Sequence, residues 1–378
     1  MAEKRKTSPP ISYREAALVK RQRQAGDYDD AASSQRIAIA SSKDGQDKGL
    51  IRSVKRTSSL SHPILGLTGA HTSEILDVKF SRDGSRIAAA SADRTISIWS
   101  VYGECANIGQ LKGHSKAVTC VAFSNTMSDA LYSGSADGTI IAWKLTTGEK
   151  QRRLRGHRAI VNCVSATRSG PELLVSASDD GRVLIWDPQA KEPLDVLEVG
   201  YPVTAVAFSE DSSQIYVGGI DNQVHVYDLT RKTIALTLRG HLDTITSISL
   251  SPSGSHILTT SFDDSLRIWD VRPFAPEPNP ADPNAHTANP RLYRTLRGTT
   301  FGGFENLLIK AGWSADGEKV VAGGADRTCT IWDVESSSIL YKLPGHKGTC
   351  TAAVFHPREP VVVSSSTDMT LLLGEIDP

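Results

Sequence analysis

Cysteine is scarce in this chain of 378 residues. The five present (Cys105, Cys120, Cys163, Cys329, Cys350) are odd in number, widely spaced, and include no CxxC pair or matching His cluster. That pattern excludes a disulfide framework and a zinc site, and it points to a reducing intracellular compartment. No run of about 18 apolar residues exists to span a membrane, and MAEKRKTSPP lacks the apolar core of a secretory signal, so a soluble protein is expected. No helical period competes for the pattern of apolar residues, and no GxSxG or other nucleophile-turn motif is present. Excess charge is missing too, but only as a sum: residues 1–60 hold 13 Lys+Arg and 7 Asp+Glu, the remainder 29 and 35. A tail of +6 therefore precedes a body of −6.

What the chain does have is a repeat. The segments SADRTISIW (91–99), SADGTIIAW (135–143), SDDGRVLIW (178–186) and SFDDSLRIW (261–269) superimpose without gaps. GIDNQVHVY (219–227), GADRTCTIW (324–332) and STDMTLLLG (366–374) follow the same plan. The aligned aspartates Asp93, Asp137, Asp180, Asp221, Asp263, Asp326 and Asp368 are 44, 43, 41, 42, 63 and 42 residues apart. Within each unit apolar residues alternate, as in ILDVKF (75–80), and turn residues such as SRDGS (81–85) separate the runs. Four short strands fit each period, and seven such sheets around an axis make an all-β, seven-bladed β-propeller.

Gly-His at 113–114, 156–157, 240–241 and 345–346, with Trp-Asp or its variants closing the units, resembles the WD-repeat family over residues 62–378. Ring closure as in that family implies that HPILGLTG (62–69) supplies the fourth strand of the last unit, leaving no open edge where the ends meet. The domain reading is a disordered basic tail over 1–60 and a propeller over 61–378, with a Pro-rich insert at 272–291 after the third strand of blade 5. That insert accounts for the 63-residue interval without adding a blade.

Four units carry a Ser/His/Asp set: His71, Ser91, Asp93; His114, Ser135, Asp137; His157, Ser178, Asp180; His241, Ser261, Asp263. One such set would suggest a hydrolase. Four copies, each with a tryptophan six residues after its aspartate (Trp99, Trp143, Trp186, Trp269), suggest a structural chain of hydrogen bonds running Trp to Ser to His to Asp. No catalytic residue, cofactor or metal site is assigned. In units four and six Gly219 and Gly324 stand for the serine and the histidine is absent, and Gly374 stands where unit seven should have tryptophan. Those blades are expected to be the least rigid.

Arg94, Ile220, Phe262 and Arg327 flank repeat aspartates on the face formed by the Gly-His loops. With Tyr201, Phe301 and Phe304 they could form a partner-binding patch over blades four to six, or the rings could fold inward to fill the space of the missing histidines. Arg272 and Phe274, in VRPFAP of the insert, are further candidates for burial against a partner. In the tail, Lys4, Arg5, Lys6 and Lys20, Arg21, Arg23 resemble a two-part nuclear localisation signal.

WSVYGEC (99–105), GGIDN (218–222), WDVRPFAP (269–276), ILYKLPGH (339–346) and LGEI (373–376) resemble, more narrowly, WD-repeat subunits of the U5 small nuclear ribonucleoprotein of the spliceosome. The resemblance implies a nuclear, non-enzymatic subunit, monomeric within a large complex. It would dock on the particle's large central scaffold protein and act in pre-mRNA splicing. Contact with U5 snRNA or pre-mRNA would be mostly indirect, through the tail if at all; no membrane or small-molecule substrate is implied. A rival reading comes from Trp269-Asp270-Val271-Arg272, which fits the WDxR pattern of substrate receptors in cullin-RING ubiquitin ligases.

Overall fold

A computed structural model of the chain describes residues 58–376 apart from positions 61, 63, 128, 276–288, 304 and 305. The tail with its two basic clusters, the middle of the insert and Phe304 lie outside the described residues. Among the described residues, 28 strands form seven four-stranded antiparallel sheets. In blades 1 to 6 the strands follow chain order from the axis outward; blade 1, for example, runs Ile75–Phe80, Arg86–Ser91, Thr95–Ser100, Asn107–Lys112. Blade 7 consists of Cys350–Phe355, Val361–Ser366 and Leu371–Glu375, completed on the outside by Ile64–Leu67 from the other end of the chain, in the register Ile64 to Gly374. The ring closes as the repeat implies. Closure also draws in residues assigned to the tail: the Ser58 N–H donates to Glu375 (2.9 Å), and Leu60 is buried.

Strands that read as apolar on both faces do so because each blade packs two neighbours. Seven separate apolar clusters lie one at each blade junction, from Leu67, Ile75, Trp99 and Val363 between blades 7 and 1 to Val321, Ile331, Cys350 and Val362 between blades 6 and 7. The five cysteines are free thiols, and burial pushes those of Cys120 and Cys350 up to about 12, so they pack as small apolar groups.

The axis is held by a second device. Where the innermost strand of most blades begins, the ladder skips one residue, as at Thr119 between Val118 and Cys120, or Thr204 between Val203 and Ala205. The skipped side chain turns to the next blade. Thr119 donates to Val161 O, Asn162 to Val203 O (2.9 Å), Thr204 to Ile245 O, Thr246 to Ile309 O (2.9 Å) and Thr351 to Ile75 O (2.7 Å). Two junctions break this relay, because Leu76 has no donor and Lys310 stands in the sixth blade's place. Between blades 1 and 2 a buried ion pair takes over: Lys310 Nζ lies 2.8 Å from Asp77 Oδ2 and 3.1 Å from Thr119 O, while Asp77 accepts the Val121 N–H of blade 2 (3.0 Å). Lys310 thus connects blade 6 to blades 1 and 2 across the axis, beside a cavity of about 260 Å³. Burial pushes the Lys310 pKa down, but the Asp77 carboxylate outweighs it and holds the ammonium above its usual value.

Candidate functional site

The repeated polar sets form closed latches within single blades. In blade 2 the Trp143 indole donates to Ser133 Oγ (2.8 Å), His114 Nε2 meets the same hydroxyl (2.8 Å), and His114 Nδ1 lies 3.2 Å from Asp137. Blade 3 repeats this with Trp186, Ser176, His157 and Asp180, and blade 5 with Trp269, Thr259, His241 and Asp263. An indole can only donate, so the hydroxyl accepts from it and donates to a neutral imidazole, whose other nitrogen donates to the carboxylate.

The bridging hydroxyls are not the expected ones. Ser135, Ser178 and Ser261 lie two residues further along, where each accepts the N–H of the repeat aspartate; Ser135 and Ser261 also donate to the carbonyls of Lys116 and Asp243. Strand register is the reason: Trp143 lies opposite Leu131, which brings its indole over Ser133 and leaves Ser135 at the turn. Ser91 in blade 1 is displaced in the same way, accepting from Asp93 N and donating to Ser73 O. Its latch runs through Ser97, which takes both Trp99 (2.9 Å) and His71 (2.8 Å). Ser97 pairs directly with Ala89, the residue aligned with Ser133, so the hydroxyl has crossed to the facing strand and still occupies the same space.

Blades 4 and 6 are latched differently. In blade 4 His225, from the third strand, places Nε2 2.7 Å from Asp221 and Nδ1 3.1 Å from Thr237, with the rings of Tyr201 and Tyr227 each 6.3 Å away. In blade 6 Thr299 donates to Thr330 (2.7 Å), and Trp332 donates to Arg297 O (3.0 Å). Gly219 and Gly324 are spacers for these arrangements. A Cβ on Gly219 would fall 2.9 Å from the Tyr201 ring, and one on Gly324 2.5 Å from the Thr299 methyl.

Electrostatics favour structure over chemistry. Burial lowers the pKa of His114, His157, His241 and His346, with the paired aspartates only partly opposing it, so the imidazoles stay neutral. Burial pushes the aspartates up, but hydrogen bonds outweigh it, from Thr95, His71 and Thr72 on Asp93 and from Arg158, His157 and Arg182 on Asp180; both stay below the usual carboxylate range. Every hydroxyl in a latch is committed to partners, and none faces an open cleft as a nucleophile would.

The candidate patch on the Gly-His face is smaller than expected. Phe301 is buried in the core between blades 5 and 6 with Ile309 and Trp332, and Tyr201 is half-buried against His225, so both rings fill space inside the ring. Ile220 and Arg327 remain exposed and Phe262 half-buried, and all three line a cavity of about 1100 Å³ shared with Thr244, Asn306 and Lys347. Leu242, unnoticed in the sequence, is 79% exposed next to it, its carbonyl held by Asn222 (3.2 Å). Arg94 is exposed in blade 1 and takes no part in this cavity.

At the insert, Phe274 is fully exposed. Arg272 is committed to Asp270, its Nε 3.0 Å from both carboxylate oxygens. The loop is closed by Arg291, whose buried guanidinium donates to Arg272 O (2.9 Å) and Ala275 O (3.3 Å). Nothing in the sequence pattern distinguished it.

Seven closed blades, four of them latched by Trp, hydroxyl, His and Asp, define a WD-repeat β-propeller. Residues 64–277 match the family described as Nucleolar protein 10-like, N-terminal domain, and residues 296–333 and 337–373 match WD domain, G-beta repeats. The U5 small nuclear ribonucleoprotein 40 kDa protein of Homo sapiens is 43% identical over 321 residues, 85% of this chain and 86% of that protein. The protein of the same name from Dictyostelium discoideum is 40% identical over 343 residues (90% and 92%), and pre-mRNA-splicing factor cwf17 of Schizosaccharomyces pombe 36% over 335 (88% and 94%). The chain belongs to the family of the U5 small nuclear ribonucleoprotein 40 kDa protein. These relatives lend no support to a ubiquitin-ligase receptor, and the arginine of the WDxR pattern is the one bound to Asp270.

Proposed function

We propose that this protein is a nuclear, non-enzymatic subunit of the U5 small nuclear ribonucleoprotein that docks on its large central scaffold protein in pre-mRNA splicing. The observation that carries the reading is the identity to splicing proteins, which runs the length of the propeller rather than over isolated repeats. The docking surface is the face bearing Ile220, Leu242, Phe262 and Arg327, where Ile220 and Leu242 stand exposed beside a cavity and Phe262 is half-buried at its wall. Phe274 gives the insert a second contact, and Lys4, Arg5, Lys6, Lys20, Arg21 and Arg23 direct nuclear import. Affinity purification of the full chain from nuclear extract should recover U5 RNA and spliceosomal proteins. An Ile220→Asp, Leu242→Asp variant with wild-type melting should lose them. Recovery of a cullin and its adaptor, with no U5 RNA, would overturn the assignment.

A further inference from the structure

The body of the protein is net acidic, but one blade is not. Between residues 112 and 158 there are 8 Lys/Arg and 3 Asp/Glu, against 29 and 35 for residues 61–378 as a whole. Four of these cations, Lys150, Arg152, Arg153 and Arg155, lie on one strand, Glu149–Arg155, the outermost of blade 2 and bonded on one side only. Lys112 and Arg158 flank it, both exposed. None of the six makes an ion pair among the described residues, whereas Lys342, on the outer strand of blade 6, pairs with Asp326 (2.7 Å). Arg153 occupies the ladder position of Lys342, but the aspartate that could answer it, Asp137, is already held by His114.

Edge strands commonly carry charge to prevent sheet-to-sheet pairing. That need does not explain this strand, because the outer strands TIALTL (233–238) and ILGL (64–67) carry no charge at all. We infer that the outer edge of blade 2 is a docking site for an extended acidic segment of a partner protein, which adds to Glu149–Arg155 as a fifth strand. Backbone bonds along the free edge supply affinity, and alternate carboxylates meet Lys150, Arg153 and Arg155, which pair with Trp143, Ile141 and Thr139 and so share one face of the strand; Arg153 also donates to Gly113 O. A short acidic strand fits better than a nucleic acid: no exposed aromatic on this strand offers a base a stacking surface, and the acidic remainder of the propeller repels a long polyanion.

The test uses the full chain with two probes, a peptide of alternating Glu and Val long enough to span the strand and an oligouridylate of equal length. The peptide should bind, weaken with salt and slow amide exchange across residues 149–155. A Lys150→Glu, Arg155→Glu variant, which reverses two charges on one face of the strand, should lose about tenfold or more in affinity, as expected when several exposed pairs become repulsive. If that variant melts early, neutral Lys150→Ser with Arg155→Ser replaces it. Unchanged peptide affinity in a variant that melts normally would overturn the proposal. So would tighter binding of the oligouridylate, or peptide binding that leaves exchange over 149–155 unaltered.

Discussion

Blades 2 and 4 share a strand plan and are locked by opposite means. Blade 2 joins its second and third strands to the entry loop and a turn through Trp143, Ser133, His114 and Asp137; blade 4 has neither that tryptophan nor that serine and joins Asp221 to His225 and Thr237 beside two tyrosine rings. What persists is the repeat aspartate and the need to satisfy it; the chain segment that delivers the histidine is free to change. The expectation that blades 4 and 6 are loosened by losing the His/Ser pair therefore has a structural objection: both have replaced the latch. The same logic explains blade 1, where the hydroxyl moved across the ladder from position 89 to Ser97.

Mutations can break this comparison at decreasing cost. The axial ion pair sets the upper end: Asp77→Ala strands a buried ammonium and should cost about 3 to 5 kcal/mol, whereas Asp77→Leu with Lys310→Met should recover most of it. Chemical denaturation with both variants measures the difference. Ser133→Ala orphans the Trp143 indole and His114 Nε2 together and should cost about 2 to 4 kcal/mol. Gly219→Ser restores the repeat's usual residue to blade 4, yet it should destabilise by about 1 to 3 kcal/mol because its Cβ collides with the Pro202 carbonyl and the Tyr201 ring. A Gly219→Ser protein as stable as wild type would show that the blade 4 latch is not the packed unit described. Ser135→Ala, which removes only the turn hydroxyl, should cost about 1 kcal/mol. Equal losses for Ser133→Ala and Ser135→Ala would refute the assigned latch.

The smallest effect is on pH dependence. His114, His157, His241 and His346 have folded pKa values below the ordinary 6.5, so the unfolded chain binds more protons as pH falls through that value. Stability should be flat above it and decline below it, with the depressed aspartates adding a further loss below 3.8. Thermal midpoints across neutral and mildly acidic pH measure this slope.

Much of the architecture was legible because a repeat multiplies weak signals. A single SADGTIIAW is a plausible strand and little more; seven copies at nearly constant spacing determine blade number, strand order, closure by residues 64–67 and the place of the insert. Histidine, aspartate and tryptophan were legible as a set for the same reason. The hydroxyl was missed by two residues because its identity depends on which residue of the second strand faces Trp143, and pairing register is a long-range property. Thr119, Asn162, Thr204, Thr246 and Thr351 carried a faint signal, a polar residue second in each innermost strand, but their partners lie on another blade. Asp77 and Lys310 are 233 positions apart and belong to no motif. Sequence alone thus determined what each blade is, because alternation and turn chemistry act locally. Tertiary structure decided what each polar group does, because a hydrogen bond depends on distances that only the closed ring sets.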